Sequence, residues 1–351
     1  MLVRRRLRAC GGGLMSAKMT TTYSMWSKFR NCRKACEWRY LKELVPLERD
    51  HNLHFGAAIH ECLELWHRHR DLDRVLEHID TLYPERMGDE KQRADWHLAT
   101  AMMKAYAARY PEEDFEVVAL EKTFESNIVN PATGASSRSF TLAGKVDGIV
   151  KKDGQYFLLE HKTASLIDSG YLERLWGDFQ IQLYCWYIEQ TLGWRISGLV
   201  YNILAKAKLR QKQGETEDEY QARCAELIAK SKSGKTTAKR KMPETDEEFQ
   251  ARLAEWYAQP DAFHREMLFV SRDQFDTLRA ELWELTRSFL DARRRNMFYQ
   301  NTSQCFTYGR PCPYFQLCRS GGSPNVIENF YRHEAPHTEL SEDAEAEKPI
   351  F

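Results

Sequence analysis

The sequence has no long apolar run. Nowhere among its 351 residues do the roughly 18 consecutive apolar side chains occur that a membrane-spanning helix requires. The opening residues MLVRRRLRACGGGLMSAK also have no apolar stretch behind their arginines, as a secretory leader would have. These two absences argue against a membrane protein and a secreted protein, so we expect no membrane partner and a cytoplasmic location.

An excess of charge of one sign is absent too. Lys and Arg together number 51, as do Asp and Glu, so no global positive field attracts polyanions and any surface that binds nucleic acid must be local. The nine cysteines are odd in number, which argues against a framework in which every cysteine is paired. Cys62, Cys185 and Cys224 lie in helical patterns, and we interpret them as small buried residues.

The sequence does contain a helical first part followed by strands. Apolar residues at Ile59, Leu63 and Trp66 predict an amphipathic helix, and the helical pattern continues over residues 88–109. Period-two patterns then predict three strands of an antiparallel meander, in FEVVALEKTFESNIV, SFTLAGKVDGIVK and QYFLLEHKTA. The last two strands are joined through KKDGQ, where Asp-Gly favours a type I′ turn.

Further helices and strands complete the predicted core. LERLWGDFQIQLYCWYIEQTLG predicts one helix that ends at Gly193, while ISGLVYNIL and HREMLFVSR predict strands. RDQFDTLRAELWELTRSFLDARRR predicts a long amphipathic helix. We therefore expect an α/β fold in which helices flank a mixed sheet of about four or five strands.

Residues 20–335 are interpreted as a single domain with a helical insertion at residues 205–262. The insertion repeats ETEDEYQARCAELIA as ETDEEFQARLAEWYA, and the basic linker KSKSGKTTAKRKMP lies between the copies. That linker could touch nucleic acid, but we favour a solvated face, since most charge runs are solvated. We expect residues 1–19 to be disordered or to precede the true start, and the acidic residues 336–351 to be a disordered tail.

Three charged residues in the predicted hairpin need an explanation, because strand positions usually favour apolar side chains. Period two places Glu160 and Lys162 on one face, and Asp147 can lie across from them. Two carboxylates so close repel each other unless a cation lies between them. Mg²⁺ or Mn²⁺ would bind both carboxylates and leave positions for water and a phosphate, which is the chemistry of phosphodiester hydrolysis. The alternative is a surface hairpin with a cross-strand salt bridge, which these three residues alone favour, because their pattern is common by chance.

The order of the motifs along the chain favours a catalytic site over a chance salt bridge. Four motifs follow one another along the chain: Gly56-x3-His60-x3-Glu64, Asp147 within GKVDG, Glu160-His161-Lys162 and Gln180-x3-Tyr184. Together they resemble the PD-(D/E)XK nuclease superfamily over residues 20–335, in particular its RecB-like branch, which includes Cas4-like proteins and phage-type exonucleases. The resemblance implies a restriction-endonuclease-like (PD-(D/E)XK) core.

The resemblance also implies a metal centre. His60, Asp147 and Glu160 would be ligands of Mg²⁺ or Mn²⁺, with the backbone carbonyl of His161 as a further ligand. An imidazole among the ligands shifts the preference toward Mn²⁺. Lys162 would position or activate the attacking water. The side chain of His161 stands where the family often has an apolar or small residue, and we expect it to point off the catalytic face.

Other residues receive roles from the same resemblance or are weighed beside it. Gln180 and Tyr184 share one helix face by their i, i+4 spacing and would orient the active site and the DNA strand. Glu64 is interpreted as a solvated partner. Glu121 in ALEKTF could support the site from the first strand, but we favour an ordinary exposed strand glutamate. Taken singly, His60 is typical of a hydrogen-bonded helix histidine and Tyr184 of a core aromatic residue.

The segment CFTYGRPCPYFQLC, residues 305–318, contains Cys305, Cys312 and Cys318. Three thiolates need a fourth ligand. In iron-sulfur members of the resembled branch a cysteine near the N-terminus supplies it, which here is Cys32, with Cys36 as the alternative. Spacing alone does not separate a 4Fe-4S cluster from Zn²⁺, but the resemblance favours the 4Fe-4S cluster, in a structural role.

We therefore expect a metal-dependent DNA exonuclease that acts on single strands or ends in recombination, repair or phage DNA processing. Its partners would be DNA and recombination or helicase proteins, in the cytoplasm of a prokaryote or of a phage-infected host. The alternatives are a non-catalytic DNA-binding or scaffold module of the same fold and a structure-selective endonuclease.

Overall fold

The computed structural model describes residues 18–48, 51–307 and 309–340. Residues 1–17 and 341–351, which make up most of the two segments expected to be disordered, lie outside this description. At the described ends, Met19 begins a strand and Thr338–Leu340 forms a 3-10 turn, so ordered structure extends into both segments. No helix in the described ranges is long and apolar enough to cross a membrane.

Helices and strands follow one another in runs, such as α3–α5 before β3–β5. The helices are α1 (Tyr23–Asn31), α2 (Arg33–Cys36), α3 (His51–His69), α4 (Leu72–Leu82), α5 (Glu90–Arg109), α6 (Ser169–Leu175), α7 (Phe179–Leu192), α8 (Glu217–Lys230), α9 (Asp246–Tyr257), α10 (Arg272–Arg295), α11 (Phe315–Arg319) and α12 (Pro324–Phe330). The strands are β1 (Met19–Thr21), β2 (Leu44–Pro46), β3 (Glu116–Val129), β4 (Ser136–Lys152), β5 (Gln155–Ala164), β6 (Ile196–Ala205), β7 (Phe263–Phe269), β8 (Phe306–Thr307), β9 (Arg310–Pro311) and β10 (Tyr331–His333). A π-helix over Glu37–Leu41 continues α2.

The central sheet of the described chain has six strands, in the order β1-β4-β5-β6-β7, with β3 also paired to β4. The predicted meander is confirmed, because β3, β4 and β5 are antiparallel neighbours. The predicted type I′ turn is present as well, with a φ of 50° at Asp153 and 77° at Gly154. The sheet is mixed, since β1 runs parallel to β4 and β5 runs parallel to β6.

The single helix predicted to end at Gly193 is in fact two helices. α6 ends at Leu175, and α7 begins at Phe179 because the side chain of Asp178 accepts a hydrogen bond from Gln180 N and caps the new helix. The predicted end at Gly193 is confirmed, with a φ of 71° that favours glycine.

Helices cover both faces of the sheet, because successive strand residues point to opposite faces. On one face, Ile149 and Leu158 belong to a core that they share with residues of α1, α7 and α10. On the other face, Leu204 of β6 packs with residues of α3, α4, α5 and α9. The sheet is therefore the middle layer of an α/β/α arrangement, as the predicted fold class requires.

The predicted insertion at residues 205–262 is helical, but its two repeats differ in burial. α9 buries Phe249, Leu253 and Tyr257 in the core, whereas no residue of α8 is buried. Cys224 on α8 is consequently half-buried, which corrects the expectation of a buried cysteine there. The second repeat is thus part of the core, and the first lies on the surface.

Candidate active site

Two neighbouring strands and one helix bring the predicted catalytic residues together. Asp147 of β4 precedes and Glu160 of β5 follows the Gly148–Leu159 pair, the pair of the β4–β5 ladder farthest from the turn. Asp147 Oδ2 accepts a hydrogen bond of 2.7 Å from His161 N, which holds its carboxylate beside β5. Helix α3 passes this point, and His60 Nδ1 lies 3.3 Å from Asp147 Oδ1. Residues far apart in the sequence therefore meet at one end of the hairpin.

The two carboxylates have different electrostatic surroundings. Burial opposes the ionisation of Asp147, but the charge and hydrogen bond of His60 outweigh it and hold the pKa of Asp147 below its ordinary value. Burial raises the pKa of Glu160 above its ordinary value, although Lys162 Nζ pairs with Glu160 Oε1. Burial also opposes the charge on Lys162, but Glu160 and Asp147 raise its pKa. The site thus combines a charged lysine with two unlike carboxylates.

The side chain of His161 leaves β5 on the face opposite to Glu160 and Lys162, and its ring lies edge-on to that of His60 with 6.1 Å between centroids. Its Nδ1 lies 3.0 Å from Asn202 Nδ2, and its ring stacks on His67 with 5.2 Å between centroids. Burial lowers the pKa of His161 to about 3, so the imidazole is neutral. A buried polar contact with Asn202 therefore anchors the catalytic strand beside α3.

A cavity of about 710 Å³ opens beside His60, Asp147 and Lys162. Glu121 also lines this cavity, which corrects its interpretation as an ordinary exposed strand residue. Its side chain is 15% exposed and its Oε2 lies 2.7 Å from Lys145 Nζ. Burial, together with the charge of Asp147, raises the pKa of Glu121 to about 7.

A local break in β3 turns Glu121 toward the cavity. Its φ of 49° is left-handed, a conformation that costs a non-glycine residue about 1–3 kcal/mol. Its two neighbours pair with the two neighbours of Asp147, so three adjacent strands each contribute a carboxylate at this level, with Glu160 as the third. Glu64 of α3 lines the same cavity and pairs with Arg68 at 2.6 Å.

Gln180 and Tyr184 do not line this cavity. Tyr184 packs in the core on the α7 side of the sheet, edge-on to Phe124 at 5.4 Å. It also lies over Gly144, where an added Cβ would be 3.2 Å from Tyr184 Cε1. Gln180 is half-buried at the start of α7. Tyr184 therefore supports the strand that carries Asp147, and a direct role with DNA stays a prediction.

The sequence motifs miss two lysines at the cavity. Lys145 precedes Asp147 by two residues, so strand alternation places both side chains on one face. This spacing could have predicted Lys145 from the sequence. Lys206 follows β6, and its Nζ lies 4.0 Å above the Phe55 ring and 3.6 Å from Asp95 Oδ1. Only the packing of β6 beside β5 brings Lys206 to this place, so local pattern could not reveal it.

The predicted cluster cysteines gather where the two ends of the domain meet. Cys32, Cys312 and Cys318 pack around a small core that contains Trp38. The Cys305 carbonyl accepts a hydrogen bond of 2.7 Å from Cys312 N, across the short β8–β9 hairpin. Trp38 Nε1 donates to Cys318 Sγ at 3.3 Å, and a backbone N–H donates to Cys32 Sγ at 3.4 Å.

Cys36, the alternative fourth ligand, lies in a different environment. It belongs to the core on the α7 side of the sheet, where its Sγ donates to the Met25 carbonyl at 3.8 Å. Burial raises the pKa of the Cys36 thiol to about 12. Its burial in that core favours Cys32 as the fourth member of the cysteine cluster.

The donor atoms at both places have the chemistry of the implied groups, although their present arrangement is not that of a metal site. Within the described ranges, no group of three or more His, Cys, Asp or Glu side chains is placed to hold a metal ion as it stands. At the cavity, carboxylate oxygens and an imidazole are donors that suit Mg²⁺ or Mn²⁺. At the cysteine cluster, the free thiols receive N–H hydrogen bonds like those found around iron-sulfur centres.

A mixed sheet flanked by helices, with acidic residues and a lysine from adjacent strands at one cavity, defines a restriction-endonuclease-like protein. A family model described as the PD-(D/E)XK nuclease superfamily matches residues 20–319. The chain belongs to this superfamily, and membership implies nuclease activity in general. A comparison with curated proteins finds no match.

Proposed function

We propose that the protein is a metal-dependent DNA exonuclease of the RecB/Cas4-like type, which hydrolyses phosphodiester bonds at single strands or ends. The observation that carries this proposal is the contact of His60 with Asp147, beside the paired Glu160 and Lys162. His60, Asp147 and Lys162 come from α3, β4 and β5 and line one open cavity, and Glu160 pairs with Lys162 at its edge. A surface hairpin with a chance salt bridge has no reason to hold a histidine from a distant helix against its aspartate.

His60, Asp147, Glu160 and the carbonyl of His161 are the groups that would hold Mg²⁺ or Mn²⁺. When bound, the ion lowers the pKa of a coordinated water and stabilises negative charge that develops on the phosphate. The N–H of His161 and the ring of His60 already hold the Asp147 carboxylate. Such support limits the reorganisation that a ligand needs before it binds.

Lys162 is the group that would orient the attacking water. Its positive charge lies beside Glu160, and its side chain reaches the cavity. A fixed ammonium there also favours the charge that forms on the phosphate oxygens. Gln180 and Tyr184 would act from behind, since Tyr184 packs over Gly144 on the strand that carries Asp147.

Cys32, Cys305, Cys312 and Cys318 would bind a 4Fe-4S cluster, with Zn²⁺ as the less favoured occupant. Support comes from the small core around which Cys32, Cys312 and Cys318 pack, and from the N–H donors that point at two of the sulfurs. The role would be structural, because the cluster would join the end of α1 to the segment after α10. Anaerobically purified protein should contain iron and absorb at about 400 nm. Zinc without that absorbance would contradict this assignment.

The test of the proposed function is cleavage of 5′- and 3′-labelled DNA strands with Mg²⁺, Mn²⁺ or EDTA. A circular single strand serves as the control for internal cutting. We expect ion-dependent shortening of the linear strands and an intact circle. Cutting of the circle would indicate an endonuclease, and DNA binding without cleavage with either ion would indicate a scaffold. Recombination or helicase proteins would be the partners that supply single strands or ends.

A further inference from the structure

The segment that follows β6 is extended and basic on one face. Lys206 N donates to the Ala164 carbonyl at 2.7 Å, which continues the alignment with the end of β5. Beyond it, every second side chain turns inward: Ala207 is buried, Leu209 packs on the core, and Gln211 Nε2 donates to Asp246 Oδ1 at 2.9 Å. The intervening residues form what we call the basic strip: Lys206, Lys208, Arg210 and Lys212.

The basic strip begins at the active site. Lys206 lines the same cavity as Asp147 and Lys162. The three outer members of the strip are exposed to solvent. Among the residues that the structure describes, no carboxylate forms an ion pair with Lys208 or Arg210. Their positive charge is therefore available to a ligand that lies along the strip and enters the cavity.

The second repeat of the insertion holds the strip in its extended form. Arg252 Nη2 of α9 donates to the Arg210 carbonyl at 2.7 Å, and Lys212 N donates to Glu244 Oε2 at 2.8 Å. Arg252 also pairs with Glu244 at 2.7 Å, so the two side chains that hold the strip also hold each other in place. A preformed strip loses less conformational freedom when a ligand binds than a flexible basic loop would.

The spacing of the charges selects the class of ligand. In an extended chain, residues two apart are separated by about 6.5–7 Å. Successive phosphates along a stretched single strand have a similar separation, and proteins bind such strands through basic grooves that follow the backbone. A row of basic side chains that leads to a cavity with carboxylates and a lysine therefore fits a linear polyanion.

We propose that the basic strip binds successive phosphates of the single nucleic-acid strand whose end lies in the active site. This inference rests on the proposed nuclease function and assigns a role to the start of the insertion, which no catalytic motif covers. The strip would set the path of the strand on one side of the scissile bond, while the cavity residues act on the bond itself.

The test compares the double variant Lys208→Ala/Arg210→Ala with Arg287→Ala/Arg294→Ala, a control that removes two exposed arginines from α10. Binding of fluorescein-labelled oligo(dT) is measured by anisotropy in EDTA, over a range of NaCl concentrations. Each phosphate contact on a single strand contributes about 0.7 to the salt slope, so the strip variant should have a slope shallower by about 1.4. The ratio of parent affinity to variant affinity should therefore be about 25-fold larger at 0.1 M salt than at 1 M, and the control should match the parent protein.

Cleavage of bis-p-nitrophenyl phosphate, which is too small to extend from the cavity to Lys208 and Arg210, is measured beside binding. The strip variant should retain this activity with Mn²⁺ while it loses cleavage of long DNA. An unchanged salt slope in the strip variant, or an equal loss in the control, would overturn the inference. If the parent protein binds oligo(dT) but hydrolyses neither substrate, the proposed function fails, and the binding data still decide the role of the strip.

Discussion

Arg265→Ala should destabilise the protein markedly, because it leaves a buried carboxylate without its nearest partner. Glu113 lies between α5 and β3 with a side chain that is only 2% exposed, and Arg265 Nη1 lies 2.6 Å from Glu113 Oε2. Removing one member of a buried ion pair costs about 3–5 kcal/mol. Arg70 also lies 3.6 Å from Glu113 Oε1, so it would still compensate part of the charge on Glu113. We therefore expect a cost near the lower limit, about 3 kcal/mol.

The same substitution affects the polar residues behind the active site. Arg265 Nη2 donates to the Tyr106 hydroxyl at 3.1 Å, and Asn202 Nδ2 donates to that hydroxyl at 3.1 Å. Asn202 in turn contacts His161. The double variant Arg265→Met/Glu113→Gln removes both charges, so it should be more stable than Arg265→Ala by about 1–2 kcal/mol.

Urea unfolding followed by tryptophan fluorescence measures these free energies. The matched control is Arg287→Ala, whose ion pair with Glu284 on α10 has side chains 68% and 64% exposed. Exposed pairs contribute at most about 1 kcal/mol, so the control should remain close to the parent protein. The reasoning is refuted if Arg265→Ala costs no more than Arg287→Ala.

Three further predictions concern the cysteine cluster, the packing around Gly144 and the response to pH. Cys32→Ala should remove most of the iron from anaerobically purified protein, whereas Cys36→Ala should retain it; equal iron contents would contradict the choice of ligand. Gly144→Ala should destabilise the fold by about 1–3 kcal/mol in thermal unfolding, because its Cβ would lie 2.7 Å from a packed aromatic ring. Gly56→Ala, whose nearest contact would be 3.5 Å, should be far milder, and similar losses would count against this packing. His67 is neutral in the fold because burial lowers its pKa, so the unfolded chain takes up the proton first. Its contribution to the free energy of unfolding is present above about pH 6.5 and decreases below that pH by up to about 1.4 kcal/mol per pH unit. His67→Phe should reduce this pH dependence in urea unfolding, and an unchanged pH dependence would contradict the prediction.

The hairpin that carries Asp147, Glu160 and Lys162 could be predicted because its signals are local. Period two fixes which side chains share a face, and Asp153-Gly154 fixes the turn, so the register of β4 and β5 follows from a few adjacent residues. The fold class follows for the same reason, since the patterns of the long helices and strands are strong.

Glu121 and Lys206 could not be assigned in this way because their positions depend on distant parts of the chain. The left-handed φ of Glu121 turns its side chain into the cavity, whereas simple alternation treats it as any exposed strand residue. Lys206 reaches the cavity only because β6 lies parallel to β5 after a crossover through α6 and α7. The parallel pairing of β1 with β4 is nonlocal in the same sense.

Tyr184 shows that residue spacing along a helix does not predict which part of the fold a side chain contacts. The i, i+4 relation to Gln180 predicts a shared helix face but not the layer that this face meets, and Tyr184 meets the core. The break before α7 was a missed local signal, because Asp178 within LWGDFQ is a favourable N-cap residue.

The most direct measurement is single-turnover cleavage of a labelled DNA strand with Mn²⁺ by Asp147→Ala, Lys162→Ala and Lys152→Ala. Lys152 also lies on the hairpin and pairs with a carboxylate, Asp114, but it does not line the cavity. We predict that Asp147→Ala and Lys162→Ala lose at least about 10²–10³-fold in rate with unchanged circular dichroism, and that Lys152→Ala cleaves like the parent protein. Retained cleavage in a folded Asp147→Ala or Lys162→Ala protein would contradict the assignment of this cavity as the active site.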